Sequence, residues 1–206
     1  MTDPATTPAV LTALTSFDPP LAGPPRLAPT DVSYVLDDTE VGRMLVAVRD
    51  DGRVLATAFA PDDAAEERWL ARLAASVSPR VLRHPAPTDA ARRALGDFLA
   101  GRTRRVDVEP DLALASPFQR EVLTGLAARV GYGERTTYAA LAAAVEHPGA
   151  ARAVGTALGG NPLCVTLPCH RVLPAAGGVG GYAGGPAAKE HLLALEAAHA
   201  SHPARS

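Results

Sequence analysis

The chain has 206 residues, of which 47% are hydrophobic and 20% are charged, a composition that is typical of globular proteins and excludes wholesale disorder. The formal net charge of −2 argues against a strongly basic nucleic-acid-binding protein. Acidic side chains outnumber basic ones over residues 1–116, and the reverse holds over 117–206, so contact with any polyanion is expected in the second part.

The first 30 residues carry seven prolines and few large apolar side chains, which predicts a flexible tail. They lack the basic start and apolar run of a signal peptide, and no apolar stretch of the chain is long enough to span a bilayer. We therefore expect a cytoplasmic protein with no membrane partner. A second disordered tail is expected over residues 200–206, and a monomer is the default.

Residues 31–110 are predicted to form a small α+β domain. Three β-prone runs occur at Ser33–Leu36, Arg43–Val48 and Arg53–Phe59. Asp50-Asp51-Gly52 separates the last two runs and predicts a hairpin turn. The helical spacing of apolar residues then covers Asp62–Ser76 and Asp89–Ala100.

Residues 111–199 are predicted to form a second, mostly helical domain. Ser116-Pro117-Phe118-Gln119 combines an N-cap serine, a proline at the first helical position and a glutamine at the capping-box position. Gly131-Tyr132-Gly133 breaks the chain after this helix.

Two short helices follow. Thr136 or Thr137 is expected to cap the first, which runs over Tyr138–Val145, and the second covers Ala150–Leu158. A tight Pro-Gly turn joins them, which gives a helix-turn-helix outline. Arg152 is the only long polar side chain on the second helix, whose small residues allow close approach to another surface such as a DNA groove. On this pattern alone, a helical hairpin that packs on its neighbours remains the alternative.

The two cysteines of the chain, Cys164 and Cys169, are five residues apart. One close pair predicts neither a disulfide framework nor a complete zinc site, so we expect no metal and no cofactor. Cys164 lies in an apolar run and is expected to be a small buried side chain. Cys169 stands in Pro168-Cys169-His170-Arg171, whose histidine and arginine supply the base and the positive surroundings that a nucleophilic thiol needs.

Six of the nine residues over 177–185 are glycine, which predicts a loop that lets a ligand approach the backbone closely. The loop lacks the Gly-Lys-Ser/Thr ending of a phosphate loop. Pro186 then opens a last helix, from Ala187 to about His199, on which Glu196 is by default a solvated residue.

In their order and spacing, six segments make the chain resemble the O6-alkylguanine-DNA alkyltransferase family over about residues 31–197. These segments are Ser116-Pro117-Phe118-Gln119, Gly131-Tyr132-Gly133-Glu134 with Thr137-Tyr138, Ala151-Arg152-Ala153-Val154-Gly155, Asn161-Pro162, Leu167-Pro168-Cys169-His170-Arg171-Val172, and Gly181-Tyr182-Ala183-Gly184-Gly185. The resemblance implies an α+β protein with an N-terminal α/β roll, which has a small antiparallel, ribonuclease H-like sheet, and a C-terminal winged-helix-like domain. It also implies single-use transfer of an alkyl group from O6 of guanine in double-stranded DNA. Transfer from O4 of alkylated thymine is a second substrate that the sequence leaves open. The damaged base would be flipped out from the minor-groove side.

The resemblance also assigns the chemistry to five side chains. Cys169 would be the alkyl acceptor, His170 its base acting through water, and Glu196 the group that orients His170. Asn161 would hold the turn before the active-site strand, and Tyr138 would hydrogen-bond the guanine.

DNA contacts and the base pocket follow from the same resemblance. Arg152 would fill the gap left in the base stack. Further DNA contacts are expected from Tyr138, Ala151, Gly155 and Thr137. The base pocket is expected to include Val172, Tyr182, Ala183 and Cys164. Ala183 stands where many members have serine, and Cys164 is expected at the pocket rim.

Two other functions remain open from the sequence. A helix-turn-helix regulator or lesion-sensing protein without alkyl transfer would bind DNA but gives no reason for Pro-Cys-His-Arg beside a glycine-rich loop. A cysteine hydrolase would turn over catalytically, and such enzymes usually place the nucleophile and base far apart in sequence.

Overall fold

The computed structural model describes residues 31–200, so the tails predicted over 1–30 and 200–206 lie outside the described residues, except for residue 200, which ends the last helix. The chain begins with three antiparallel strands, β1 (Val32–Thr39), β2 (Gly42–Arg49) and β3 (Val54–Phe59). The turn predicted at Asp50-Asp51-Gly52 joins β2 and β3. All three predicted strands are confirmed, and each is longer or shorter than predicted by a few residues at most.

The sheet is mixed, whereas the expectation was an antiparallel sheet. A short strand β4 (Val81–Arg83) pairs in parallel with β1, which gives the strand order β3-β2-β1-β4. The chain reaches this far edge through helix α1 (Asp63–Ser76), and such a crossover returns the next strand in the parallel direction. β4 was not predicted because its three residues are too few to show a period of two.

Both faces of the sheet are buried, because alternate side chains of β2 enter two different apolar clusters. Leu45 and Ala47 pack with residues of α1 such as Leu73. Met44, Val46 and Val48 face the other way, toward α2 (Pro85–Leu99) and the second half of the chain. Helix α2 begins four residues before the predicted start, since Pro85 occupies its first helical turn.

The second half has the predicted helices: α3 (Pro117–Arg129), α4 (Tyr138–Ala144), α5 (Ala151–Gly159) and α6 (Gly185–Ala200). Ser116 caps α3 by accepting a hydrogen bond from the Gln119 amide, and Thr137 caps α4 by accepting one from Ala140. Between them, β5 (Thr136–Thr137) pairs in parallel with β6 (Val172–Leu173), which was not predicted. No helix within residues 31–200 is long and apolar enough to cross a membrane.

The first half of the chain forms hydrogen bonds with the segment that precedes Cys169. The Thr57 amide on β3 donates to the Pro162 carbonyl at 3.0 Å, and the Thr57 hydroxyl donates to the Cys164 carbonyl at 2.7 Å. Arg72 on α1 donates to the Leu114 and Gly160 carbonyls. One apolar cluster also includes residues of both halves. The domain boundary between residues 110 and 111 stays a prediction.

Candidate active site

A cavity of about 300 Å³ opens between α4, α5, the Cys169 turn and the glycine-rich loop, a volume at the lower end of small-ligand sites. Its lining brings together five of the residues singled out from the sequence: Tyr138, Gly155, Cys169, Tyr182 and Ala183. Leu158, Gly159 and Gly181 complete the lining. The Cys169 sulfur is therefore presented to a concave site although its residue is only 5% exposed.

Cys169 begins a single 3-10 turn, Cys169–Arg171, where the resemblance implied a strand. Asn161 holds the thiol in place, because its side-chain amide donates to Cys169 Sγ at 3.1 Å and to the Leu167 carbonyl at 3.0 Å. Its Oδ1 accepts from the Leu163 amide at 2.9 Å, which fixes the orientation of the amide group. The role predicted for Asn161 as the holder of this turn thus extends to direct contact with the sulfur.

The surroundings of Cys169 favour its thiolate. The pKa of Cys169 is lowered first by a hydrogen bond from Cys164, and then by the hydrogen bond from Asn161 and the positive charge of Lys189, against the opposing effect of burial. Lys189 is the single lysine of the chain and is fully buried on α6, where its Nζ donates to the Val172 carbonyl at 2.7 Å. A lowered pKa raises the thiolate fraction at neutral pH.

His170 is fully buried, and its ring contacts Glu196. Its Nε2 lies 2.9 Å from Glu196 Oε1. Because an ionised carboxylate only accepts hydrogen bonds, Nε2 carries the proton and Nδ1 keeps its lone pair. Nδ1 has no hydrogen-bond partner among residues 31–200. Burial lowers the pKa of His170 despite the carboxylate, so the ring is a neutral base at pH 7.

Glu196 is 1% exposed, and three donor groups hold it as a carboxylate despite its burial. Burial alone would raise its pKa, but hydrogen bonds from His170 and Arg171 outweigh it and lower the pKa to about 2. Arg171 binds both carboxylate oxygens, at 2.8 to 3.1 Å, and the Gly133 amide donates to Oε2 at 3.1 Å. The guanidinium of Arg171 thus forms an ion pair with Glu196, whereas the sequence suggested that it would supply positive charge to the thiol.

The glycine-rich loop closes one side of the cavity through aromatic packing. Tyr182 makes an edge contact with Phe59 at a ring-centroid distance of 5.4 Å, and another with His170 at 6.4 Å. A Cβ atom on Gly184 would lie 2.4 Å from the Phe59 ring, so only glycine permits this approach. Ala183 stands exposed on the same loop.

Cys164 is fully buried, which fits the expectation from its apolar run and overturns its placement at the pocket rim. Val165 has a φ of 70°, a left-handed conformation that is rare for a β-branched residue and turns the chain inward at this point. The Cys164 thiol faces the Asn161 carbonyl oxygen, at 3.4 Å, and the Cys169 sulfur. Val172 is also fully buried, and its carbonyl accepts from Lys189.

Comparison with known proteins gives this site a family. Residues 117–198 match the family described as 6-O-methylguanine DNA methyltransferase, DNA binding domain. A crystal structure of the Mycobacterium tuberculosis protein in complex with DNA superposes with a TM-score of 0.68 and 30% sequence identity, over 81% of this chain and 94% of that chain. The chain belongs to the methylated-DNA–protein-cysteine methyltransferase family.

Two curated members of the methyltransferase family match a shorter part of the chain. The Mycolicibacterium paratuberculosis protein is 47% identical over 105 residues, which is 51% of this chain and 62% of that protein. The human protein is 52% identical over 79 residues, or 38% of each chain. The matched segments thus span less than two thirds of the length of these relatives.

The helix pair α4 and α5 carries the residues that are predicted to contact DNA, and two of them, Tyr138 and Gly155, line the cavity. Arg152 is exposed at the second position of α5, and Ala151 precedes it. A Cβ atom on Gly155 would lie 3.7 Å from the Tyr138 ring, in ordinary contact. Thr137 caps the helix that begins with Tyr138. The pKa of Tyr138 is raised by burial and by the charge of Cys169, so its hydroxyl stays protonated.

Sequence reasoning missed two contributors to this site, Lys189 and Thr57. Lys189 carried one signal, since it is the only lysine among 20 basic residues. Thr57 lies more than 100 positions before the carbonyl and hydroxyl groups that its side chain contacts, so no local pattern connects them.

Replacement of Lys189 by methionine should raise the pKa of Cys169 toward its ordinary value, because a nearby positive charge that favours the thiolate is removed. The pH dependence of the rate at which iodoacetamide alkylates Cys169 measures this pKa. Glu190→Gln, at the adjacent exposed position of the same helix, is the matched control. An unchanged pH profile in Lys189→Met would show that the lysine acts only on the backbone.

Proposed function

We propose that this protein repairs DNA by moving an alkyl group from O6 of guanine to the Cys169 sulfur. The observation that carries the proposal is a thiol with a lowered pKa in a cavity of about 300 Å³, one side of which is lined by the short helix that carries the exposed Arg152. The names of the relatives support it, since they are methylated-DNA–protein-cysteine methyltransferases, and one relative was crystallised with DNA.

The reaction is an in-line displacement at the alkyl carbon. The Cys169 thiolate forms a C–S bond while the C–O6 bond breaks, and guanine leaves with the electron pair. His170 Nδ1 takes the thiol proton through a water molecule, and Glu196 steadies the imidazolium that results. The Tyr138 hydroxyl donates to the base as negative charge develops on it. The thioether is stable, so each molecule acts once and is consumed.

The helix pair would hold the DNA during this reaction. We propose that α5 enters the minor groove, where its small residues Ala151 and Gly155 allow close approach, and that Thr137 and Tyr138 contact the backbone. The flipped guanine would occupy the cavity beside Tyr182 and Ala183. With this assignment, we interpret the second half as a winged-helix-like domain and the first as a ribonuclease H-like roll. A monomer in the cytoplasm, without metal or cofactor, stays our prediction.

The test is incubation of the protein with a duplex oligonucleotide that contains O6-methylguanine. Trypsin cleaves after Arg152 and Arg171, so Cys164 and Cys169 fall in one peptide, and fragment ions must assign the methyl group to one of them. We expect one methyl group on Cys169 for each lesion repaired. An intact lesion with an unmodified Cys169 would favour a lesion-sensing or regulatory DNA-binding protein. Repair of many lesions by one protein molecule would favour an enzyme with turnover.

The Arg152→Ala variant should repair duplex DNA about tenfold or more slowly. Extrusion of a base costs a few kcal/mol, and about 1.4 kcal/mol is tenfold in rate. The free base needs no extrusion, so its reaction should slow far less. Arg68→Ala, which removes an exposed arginine of α1, is the control for the loss of one charge. Equal slowing of Arg152→Ala on duplex and free base would contradict the role in base flipping.

A further inference from the structure

Cys164 is a buried nucleophile that the alkyl transfer does not use. It is fully buried, yet its sulfur is not packed solely against apolar groups. Its thiol donates to the Asn161 carbonyl oxygen at 3.4 Å, and its interaction with the Cys169 sulfur lowers the pKa of Cys169. Asn161 therefore holds both sulfurs, since its side-chain amide donates to Cys169 Sγ at 3.1 Å.

The chain reverses between Cys164 and Cys169, which holds both residues in one tight segment. The Leu167 amide donates back to the Leu163 carbonyl at 2.7 Å, and the Cys169 amide donates to the Leu167 carbonyl at 2.8 Å. Val165 adopts its left-handed conformation at the centre of this reversal. Such a conformation is strained for a β-branched residue and persists only where the surroundings enforce it. Here the Thr57 hydroxyl, which donates to the Cys164 carbonyl at 2.7 Å, is one enforcing contact.

We propose that Cys164 is a resolving cysteine, which forms a reversible disulfide with Cys169 when a hydroperoxide oxidises the acceptor sulfur. The proposal goes beyond alkyl transfer and shares with it only the reactivity of Cys169. The disulfide would withhold the acceptor from DNA while the protein is oxidised, and it would protect a single-use sulfur from irreversible loss.

The chemistry takes two steps. The Cys169 thiolate attacks one oxygen of the hydroperoxide, so that an S–O bond forms, the O–O bond breaks, and the departing oxygen leaves as an alcohol or water after protonation. The Cys164 sulfur then attacks the sulfenic acid sulfur, so that the S–S bond forms and the S–O bond breaks, and the hydroxide leaves as water with the proton of the Cys164 thiol. A dithiol reverses the product by thiol–disulfide exchange.

The charge balance of the pair favours this order of events. The pKa of Cys164 is raised well above its ordinary value, first by its hydrogen bond to Cys169 and then by burial and by the negative charge on Cys169. Cys169 is therefore the thiol that ionises and meets the oxidant, and it also lines the cavity. The neutral sulfenic acid carries no such charge, so Cys164 ionises more readily after the first step than before it.

The test uses the full chain without DNA, so that its outcome is independent of alkyl transfer. Reduced protein is treated with hydrogen peroxide, its remaining thiols are blocked with iodoacetamide, and the tryptic peptide that ends at Arg171 is weighed. We expect a peptide that has lost two hydrogens and carries no blocking group, and that regains both thiols after dithiothreitol. Cys164→Ser and Cys164→Ala should instead accumulate sulfinic acid at Cys169, which dithiothreitol does not restore.

Wild-type protein that forms sulfinic acid at Cys169 as fast as the two variants would overturn the proposal. So would a wild-type peptide that keeps two blockable thiols after oxidation. The wild-type measurement stands without the variants, should either fail to fold. Failure of methyl transfer with intact disulfide formation would contradict the proposed function alone.

Discussion

The Cys169→Ser variant should lose alkyl transfer by on the order of 10⁴-fold or more, because a hydroxyl group is scarcely ionised where a thiol of lowered pKa is. Serine is close to cysteine in size and can still accept the Asn161 hydrogen bond that now reaches Cys169 Sγ at 3.1 Å. The cavity should therefore survive, and binding of a lesion-containing duplex should persist. Methyl transfer by mass spectrometry and DNA binding by fluorescence anisotropy separate the two properties.

The matched control is Cys164→Ser, which makes the same chemical change in the adjacent buried thiol. It retains the acceptor, and a serine at this position can still donate toward Cys169. Methyl groups should consequently still appear on Cys169, at a rate that the changed hydrogen bond lowers. Transfer that survives in Cys169→Ser, or that is lost only in Cys164→Ser, would move the acceptor role from Cys169 to Cys164.

Most of the helices and strands that the sequence predicts are set by turn and capping residues that act over a few positions. The Asp-Asp-Gly turn sets the β2–β3 hairpin, and Ser116 and Thr137 cap their helices by contacts within three residues. The strands β4 and β5 are different, since each has two or three residues whose partners lie far along the chain. No periodicity develops over so few residues, and tertiary contacts alone decide that they pair.

The site divides in the same way between local and distant contacts. Cys169 and His170 were evident from a tetrapeptide, because a thiol beside a histidine is a local chemical pattern. Glu196 lies 26 positions after His170, and only the family resemblance brought it into the site. Lys189 was missed altogether, because helical spacing cannot reveal that its Nζ reaches the Val172 carbonyl. The strained backbone at Val165 likewise leaves no signal in a short apolar run.

The Glu196→Gln variant should lower the free energy of unfolding by about 3–5 kcal/mol, the usual consequence of the removal of one partner from a buried ion pair. A neutral amide leaves the buried charge of Arg171 uncompensated, and it replaces a carboxylate oxygen that accepts from His170 Nε2 with a group that carries no charge. Alkyl transfer should slow as well, since His170 loses the carboxylate that fixes its tautomer. Urea unfolding at pH 7 measures the stability, and Glu190→Gln, exposed on the same helix, should stay within about 0.5 kcal/mol of wild type.

Lowering the pH should weaken the same Glu196 interaction in the wild-type protein and reduce its stability. The pKa of Glu196 is about 2 in the folded protein against an ordinary value of 4.5, a difference that corresponds to about 3 kcal/mol of stability. Because the folded pKa is the lower one, this stabilisation is complete above pH 4.5 and is lost as the pH falls toward 2. The lowered pKa of His170 changes the stability in the same direction. As the pH falls below 6.5, the ordinary pKa of histidine, the unfolded state binds a proton more readily than the folded state, and the stability decreases. Between pH 4.5 and 2, the stability of Glu196→Gln should therefore fall less steeply than that of wild type, and parallel curves would show that Glu196 is not the carboxylate that titrates.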